Sequence, residues 1–196
     1  MSAAPKHKGP IVDAAVTLFR RQGYAGTGLN DIVDASGAPK GSLYHYFPDG
    51  KVSIVVAAVE EAGHRVARTL EELAEDAPTT GELLVCHANQ LAGWMKKSGY
   101  RDGCPITTVL LELAPRERAV SKAGRNAYDA RLKILTGKLM EDGFPRPKAE
   151  RLATLCISAL QGALIQARVE RSAAPILTAA EELARLLESE LAIDGK

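Results

Sequence analysis

Apolar residues recur along this chain mainly at spacings of three, four and seven residues, which is typical of helices that bury one face. The longest stretch of this kind contains Val52, Val55, Val56, Val59, Val66, Leu70 and Leu73. Pro78 and Gly81 interrupt it, so we predict a long helix that ends before them. Strand-type alternation is scarce, and the pattern therefore predicts an all-α fold.

Further helices are predicted over residues 82–97, after Pro105, over residues 116–141, and in a closing pair. The apolar stripe of the helix over residues 116–141 comprises Val120, Ala123, Ala127, Ala130 and Ile134. The closing pair is marked by Leu152, Leu155, Cys156, Ala159, Leu160, Ala163 and Leu164, then by Ile176, Ala180, Leu183, Leu187 and Leu191. We predict that residues 52–196 form a second, helical domain after a domain over residues 1–51.

Residues 27–51 predict two short helices joined by a tight turn. The apolar face of the first helix is formed by Leu29, Ile32 and Val33. Thr27 is placed to cap its N-terminus, and Gly37 can supply the left-handed backbone that ends it. Pro39 then starts the second helix, over residues 39–46, because the first helical position needs no backbone N–H.

The N-terminal residues of that second helix are Lys40, Gly41 and Ser42, which are cationic, small and polar. A surface of this kind can approach DNA closely. Two short helices with such a surface on the second are typical of a helix-turn-helix, whose second helix reads the major groove.

The segments around this turn resemble the N-terminal domain of the TetR family of transcriptional regulators. The resemblance is carried by LFRRQGYAGTG (18–28), SGAPKGSLYHYF (36–47) and PDGK (48–51). Farther on, DGCPITTVLLELA (102–114) is similar to the GCPI segment of the LmrA and YxaF branch. The chain departs from the common pattern at Ala38, at Pro39 and in one extra residue before Lys51, which leaves the expected fold in place but makes the base preference less transferable.

This resemblance implies a three-helix DNA-binding domain followed by a helical domain for ligand binding and dimerisation. The implied partners are double-stranded operator DNA, a small-molecule effector and a second copy of the chain. We expect a repressor that a small apolar or aromatic effector releases from DNA, with no cofactor, metal or enzymatic activity.

The match to the family motif implies a set of DNA-contacting residues. They are Thr27, Gly28, Pro39, Lys40, Gly41, Ser42, Tyr44, His45 and Lys51. Lys40 and Ser42 are expected to reach base edges, and Lys51 to bind phosphate. Two alternatives stay open: Tyr44 either contacts DNA or packs in the core, and His45 either contacts phosphate or only faces solvent.

The expected effector site lies in the second domain. Its candidate residues are Trp94, Met95, Tyr100, Cys104, Tyr128 and Gln161, with Phe144 as further surface and His87, Gln90 and Gln166 as further polar anchors. Pockets for small molecules are mostly apolar with a few polar anchors. Each of these residues could instead belong to an ordinary core.

Small and apolar residues cover more of the closing helices than one core face requires. Those that would let two helices approach closely are Ala159, Gly162, Ala163, Ile165 and Gln166. This distribution favours an interface between two copies of the chain. Packing within one subunit is the alternative.

Composition adds expectations about charge, cysteines and membrane contact. The formal net charge is only +1, so we expect a few local cations rather than a broad basic face, with Lys6 and Lys8 in an N-terminal arm. The three cysteines are far apart and odd in number, which disfavours disulfides and a zinc site and favours buried, reduced thiols. No apolar run reaches the roughly 18 residues that a membrane span needs, and no signal-peptide core opens the chain, so we expect a cytoplasmic protein without membrane contact.

Two other classes of protein remain as alternatives. A helical enzyme is disfavoured because the sequence has no Gly-rich phosphate loop, H-E-x-x-H pair or nucleophile elbow. A helical ligand-binding or adaptor protein without a transcriptional role fits the C-terminal part but leaves the second short helix unexplained.

Overall fold

A computed structural model describes residues 6–194, and the regular secondary structure in this part of the chain is all helical, without a strand. Its helices are α1 (Lys8–Gln22), α2 (Leu29–Ser36), α3 (Lys40–Tyr46), α4 (Lys51–Asp76), α5 (Thr80–Lys97), α6 (Pro105–Leu113), α7 (Arg118–Glu141), α8 (Arg146–Glu170) and α9 (Ala174–Asp194). The predicted all-α fold is confirmed. Lys8 already belongs to α1, so the prediction that it lies in an arm is wrong.

The chain divides into two compact units. We call the residues up to His64 together with Cys104–Ala127 the head unit, and the remainder the body unit. The head unit thus contains more than the predicted DNA-binding segment, because the start of α4, all of α6 and the start of α7 pack with it. The division into functional domains at residue 51 stays a prediction.

The core of the head unit fixes the two short helices. Ile32 of α2 and Leu43 of α3 are fully buried, and they share one apolar cluster with Phe19 of α1 and Ile54 of α4. Burying side chains of this size stabilises a fold by about 1.5–3 kcal/mol each. The surface of α3 is therefore held by anchors on its opposite face.

Local backbone chemistry sets the turn between these helices. Gly37 ends α2 with a left-handed backbone, φ 62° and ψ 13°, as predicted. Pro39 does not occupy the first helical position; it is the N-cap of α3, with an extended ψ of 137°. The Ser42 N–H donates to the Pro39 carbonyl at 2.8 Å. The sequence placed the boundary one residue too early because proline suits either position.

The predicted N-cap of α2 is wrong. Gly28 is the N-cap, and its N–H donates to the Asp31 carboxylate at 2.7 Å. Thr27 points inward, with only 1% of its surface exposed, and its hydroxyl donates to the Gly23 carbonyl at 2.7 Å. Thr27 therefore closes the α1–α2 turn rather than capping the helix.

The core of the body unit is built from α5, α8 and α9 with the end of α4 and the second half of α7. On α7 the buried positions after Ala127 are Arg131, Leu135, Thr136 and Leu139, whereas the predicted Ala130 and Ile134 are only half-buried. The stripe was misplaced because an arginine occupies one of its buried positions. Sequence patterns assign arginine to the solvent face.

The three cysteines differ in environment. Cys156 is buried, and burial raises the pKa of its thiol to about 12, so the thiol stays protonated at neutral pH. Cys104 is half-buried and Cys86 is exposed, which contradicts the prediction that all three are buried. Cys86 lies on the solvent side of α5, one residue before the buried His87.

Candidate functional site

The outer face of α3 is the first candidate site. Lys40, Gly41, Tyr44 and His45 are exposed on it, while Leu43 is fully buried beneath. Tyr44 keeps 48% of its surface exposed, which favours the surface role over core packing. The structure thus brings a cation, a backbone without a side chain, a phenol and an imidazole together on one short helix.

The remaining residues of α3 support this face. The rings of His45 and Tyr46 meet edge to face with centroids 5.0 Å apart, and Tyr46 is itself packed against the head core. His45 is thereby oriented although it is exposed. Ser42 is half-buried, and Pro39 is exposed at the start of the helix.

Gly41 has no structural reason to be glycine within this chain. A Cβ added there would meet no heavy atom within 4 Å. Glycine inside a helix costs about 0.5–1 kcal/mol relative to alanine because it loses more backbone freedom on folding. The absence of a side chain leaves the α3 backbone accessible to a partner.

Lys51 begins α4 as the sequence predicts, but its side chain is engaged within the head unit. Its Nζ donates to the Tyr24 carbonyl and lies 3.9 Å from the centroid of the Tyr24 ring. Burial lowers the pKa of Lys51, and the carboxylates of Glu112 and Asp31 oppose that shift. In this structure Lys51 supports the α1–α2 loop.

Glu112 of α6 also holds this loop, a role that no local sequence pattern indicates. Its carboxylate accepts hydrogen bonds from the N–H groups of Tyr24 at 2.7 Å and Ala25 at 2.8 Å. The preceding Gly23 has φ 73°, and a Cβ there would collide with the Glu112 carboxylate. A lysine and a glutamate from two other helices therefore fix the loop between α1 and α2.

The six candidate effector residues do not share one environment. Cys104 belongs to the head unit, where its carbonyl accepts from the Thr108 hydroxyl. Met95 is buried in the body core, whereas Trp94 keeps 49% of its surface exposed. Tyr100, Tyr128 and Gln161 are half-buried in the body unit.

A buried polar pair lies in the body unit instead. His87 of α5 is 7% exposed and Arg131 of α7 is 4% exposed. Burial and then the Arg131 charge lower the pKa of His87 to about 4, so this imidazole is uncharged at neutral pH. The guanidinium carbon of Arg131 lies 5.3 Å from the centroid of the Tyr128 ring. The sequence singled out His87 and Tyr128 but missed Arg131, whose signal was its place one turn after Ala127 and one turn before Leu135.

A groove of about 580 Å³ runs between α8 and α9. Small residues line it, among them Ala159, Gly162 and Ala163, which the sequence assigned to a close helix crossing. By length and composition α8 could also cross a membrane, with a mean hydropathy of 1.4 over its most apolar window, of which 28% is buried. Its large exposed apolar side chains are Leu155, Ile165 and Val169.

Comparison with known proteins identifies both halves of the chain. Residues 11–58 match the profile of bacterial regulatory proteins of the tetR family, and residues 81–182 match the C-terminal domain of LmrA/YxaF-like transcriptional regulators. An uncharacterised HTH-type transcriptional regulator of Mycobacterium tuberculosis is 34% identical, over 92% of this chain and 94% of its own. The HTH-type regulator YxaF of Bacillus subtilis is 30% identical, over 93% and 96%. The HTH-type transcriptional repressor DhaR of a Mycobacterium species is 26% identical, over 85% and 84%.

Solved structures agree with this assignment at the level of the fold. The regulatory protein TetR from Rhodobacter sphaeroides superposes with a TM-score of 0.81 at 20% identity, covering 91% of this chain and 97% of that one. The helix-turn-helix of α2 and α3 lies in the segment that matches the tetR profile. This chain therefore belongs to the TetR family of transcriptional regulators, in the branch with an LmrA/YxaF-like C-terminal domain.

Proposed function

We propose that this regulator is a cytoplasmic homodimeric repressor that reads a palindromic operator with α3 and leaves it when a small apolar or aromatic effector binds the body unit. The observation that carries the proposal is the outer face of α3, which is exposed and polar on anchors that are fully buried. The relative DhaR, which matches over 84% of its own length and is named as a repressor, supports the sign of regulation.

We assign each proposed DNA contact according to whether the residue is exposed, half-buried or buried. Lys40 and Ser42 read base edges, Gly41 lets the backbone approach, and Tyr44 and His45 bond phosphate oxygens. Pro39 is exposed at the N-cap of α3 and Gly28 at the N-cap of α2, although the Gly28 N–H is already engaged by Asp31. Thr27 acts from the interior by shaping the turn that carries α2.

Lys51 has two roles in this proposal. Its half-buried side chain contacts Tyr24 in the loop that precedes α2, where burial lowers its pKa and the carboxylates of Glu112 and Asp31 oppose that shift. A cation in that position attracts phosphate and stabilises the loop at the same time. The loop role distinguishes it from Lys40, which is exposed.

The groove between α8 and α9 supports dimerisation. Its small residues allow close approach of a second copy, and exposed Leu155, Ile165 and Val169 give α8 an apolar surface to bury. A symmetric dimer presents two reading helices about 34 Å apart, one turn of DNA, and so selects a palindrome. Exclusion of water from this surface accounts for the apolar character of α8 without a membrane.

Release by an effector requires differential binding. A compound that binds the DNA-free form tenfold more tightly stabilises it by about 1.4 kcal/mol and weakens operator binding tenfold. The coupling is reciprocal, so operator DNA must weaken the compound by the same factor. The candidate residues for this site in the body unit remain Trp94, Met95, Tyr100, Tyr128 and Gln161, whereas Cys104 lies in the head unit.

The deciding experiment uses duplex DNA from the region that flanks the coding sequence. We expect the full-length protein to shift one such fragment at a salt concentration at which a scrambled fragment of equal length stays free. The variant Lys40→Ala should lose this preference, whereas Lys122→Ala, an exposed lysine on α7, should keep it. A wild-type protein that shifts both fragments equally at every salt concentration contradicts the proposed operator reading.

A further inference from the structure

The body unit buries two nitrogen-bearing side chains whose hydrogen-bonding capacity is not used. Within residues 6–194, Nε and Nη2 of Arg131 and Nδ1 of His87 are buried and have no hydrogen-bond partner in the protein. Both side chains are more than nine-tenths buried. Buried polar atoms in folded proteins are nearly always paired, so two such groups together require an explanation.

Of the two side chains, Arg131 has the higher energetic cost of burial. A guanidinium remains charged at all physiological pH values, and burial without an oxygen partner is unfavourable. The face of the Tyr128 ring, 5.3 Å away, stabilises the charge but accepts none of its in-plane N–H bonds. The two free nitrogens therefore present donors in the plane of the guanidinium, the geometry that binds a carboxylate with two hydrogen bonds.

His87 complements this arrangement. Burial and the Arg131 charge lower the pKa of His87 to about 4, which keeps the imidazole neutral beside the guanidinium. A neutral imidazole with its proton on Nδ1 donates one hydrogen bond without adding a second buried positive charge. The pair then offers one net positive charge and several donors, which matches a single carboxylate.

The surroundings of the pair are apolar. One helical turn from His87 are Leu83, Leu84 and Leu91, and one turn from Arg131 is Leu135. All four belong to the body core or pack against it. An anion that reaches this pair must bring an apolar or aromatic body with it.

We propose that Arg131 and His87 bind the carboxylate of a lipophilic acid, and that such acids are the effector class of this regulator. The proposal rests on the ligand-controlled release proposed above and names the chemistry of the ligand. It assigns Arg131 as the charged anchor, His87 as the neutral donor and the Tyr128 ring as the flank of the guanidinium.

Binding can be measured without DNA by thermal unfolding of the full-length protein. The probes are sodium octanoate and sodium benzoate, with 1-octanol and benzyl alcohol as uncharged counterparts and sodium phosphate as an anion without an apolar body. We expect at least one of the two acids to raise Tm at concentrations at which its alcohol and phosphate do not. No rise with either acid, or an equal rise with the matching alcohol, overturns the proposal.

Variants locate the site. Arg131→Met should weaken acid binding by about tenfold or more, since it removes hydrogen bonds to a charged group. His87→Phe should weaken it less, and Arg125→Met, at an exposed position on α7, should leave it unchanged. Acid binding that survives Arg131→Met at full strength places the site elsewhere and overturns the assignment.

The ligand-free stability of Arg131→Met gives an independent readout. Replacing a buried charge that lacks partners by an apolar side chain of similar length should leave Tm unchanged or raise it. If Arg131 instead holds the fold together, Tm of the variant falls by several degrees, and the proposal is wrong. Arg131→Lys keeps the charge but not the paired donors, so it should recover little acid binding.

Failure of this proposal is distinguishable from failure of the proposed function. A protein whose Tm rises with an acid but whose operator complex persists retains the carboxylate site and contradicts ligand-controlled release. A protein that leaves its operator only with the alcohols retains controlled release and contradicts the carboxylate site. Both measurements use the wild-type full chain.

Discussion

The head unit and the body unit differ in where they place the polar groups that we propose to be functional. On α3 the groups are exposed over a buried apolar anchor, whereas His87 and Arg131 are buried among leucines. DNA is too large to enter a protein, so its contacts must stand on the surface. A small effector must be surrounded, so its contacts are buried and cost stability until they are used.

This contrast decides what the sequence could reveal. The α2–turn–α3 unit depends on neighbours within a few residues, and Gly37 and the apolar spacing of α2 predicted it correctly. The errors at Thr27 and Pro39 are shifts of a single cap residue. Contacts between residues far apart in sequence were not predictable in this way. The Tyr24 N–H donates to the Glu112 carboxylate from 88 positions away, and no local pattern indicates that pairing.

Local sequence patterns predicted even less of the candidate site in the body unit. Periodicity found α5 and α7, and His87 was singled out as a polar anchor. Arg131 was missed because a charged residue was assigned to solvent, although its spacing from Leu135 and Leu139 follows the buried stripe. A charged residue that keeps the helical spacing of buried apolar positions therefore indicates a buried charge.

The largest expected effect is on stability and comes from the buried His87 of the body unit. The pKa of His87 is about 4 in the folded protein against an ordinary 6.5, so the unfolded chain binds the proton more readily. The free energy of unfolding should therefore be highest above pH 6.5 and fall by about 3 kcal/mol as the pH drops to 4.

Urea unfolding across this pH range, compared with His87→Phe, measures that contribution. The variant should lack this part of the pH dependence, while His64→Phe, at an exposed position on α4, should retain it. Identical pH profiles for wild type and His87→Phe would show that the imidazole is not held neutral by burial.

The next largest effect is on DNA binding and comes from two lysines of the head unit. Lys40→Ala should reduce discrimination between operator and scrambled DNA by about 1–3 kcal/mol, because a base contact is lost. Lys51→Ala should instead weaken both DNAs alike and lower the salt dependence by about one counterion per site. Titrations at several salt concentrations separate the two results, and a purely structural Lys51 would change stability with no change in salt slope.

Glu112 tests whether the exposed surface depends on a contact from α6. Glu112→Gln retains the shape of the side chain but loses its charge and one acceptor, so the head unit should lose about 1 kcal/mol of stability. Hydrogen exchange should quicken at the amides of Tyr24 and Ala25. Glu60→Gln, at an exposed position on α4, is the control, and unchanged exchange at both amides would contradict the proposed support.

The smallest expected effect is a gain in stability when Gly41 of the exposed α3 surface is replaced. Gly41→Ala should raise the free energy of unfolding by about 0.5 kcal/mol, since the helix gains and nothing within 4 Å opposes the new methyl group. Operator affinity should fall in the same variant. Gly37→Ala is the contrasting control, because its φ of 62° makes alanine destabilising. A Gly41→Ala protein that binds operator normally would remove the argument for close approach at that residue.

The hydrogen bonds from Tyr24 and Ala25 to Glu112 bear on how DNA specificity could be moved between regulators. A chimera cut at residue 51 would join these two N–H groups to a foreign α6 and leave them without their acceptor. Gly23 would face whatever side chain that α6 supplied. A transplant that follows the head unit, taking residues up to His64 and Cys104–Ala127 together, would carry donor and acceptor on the same piece of protein. The exchangeable module of this fold is discontinuous in sequence, and shuffling it by a single crossover would separate its parts.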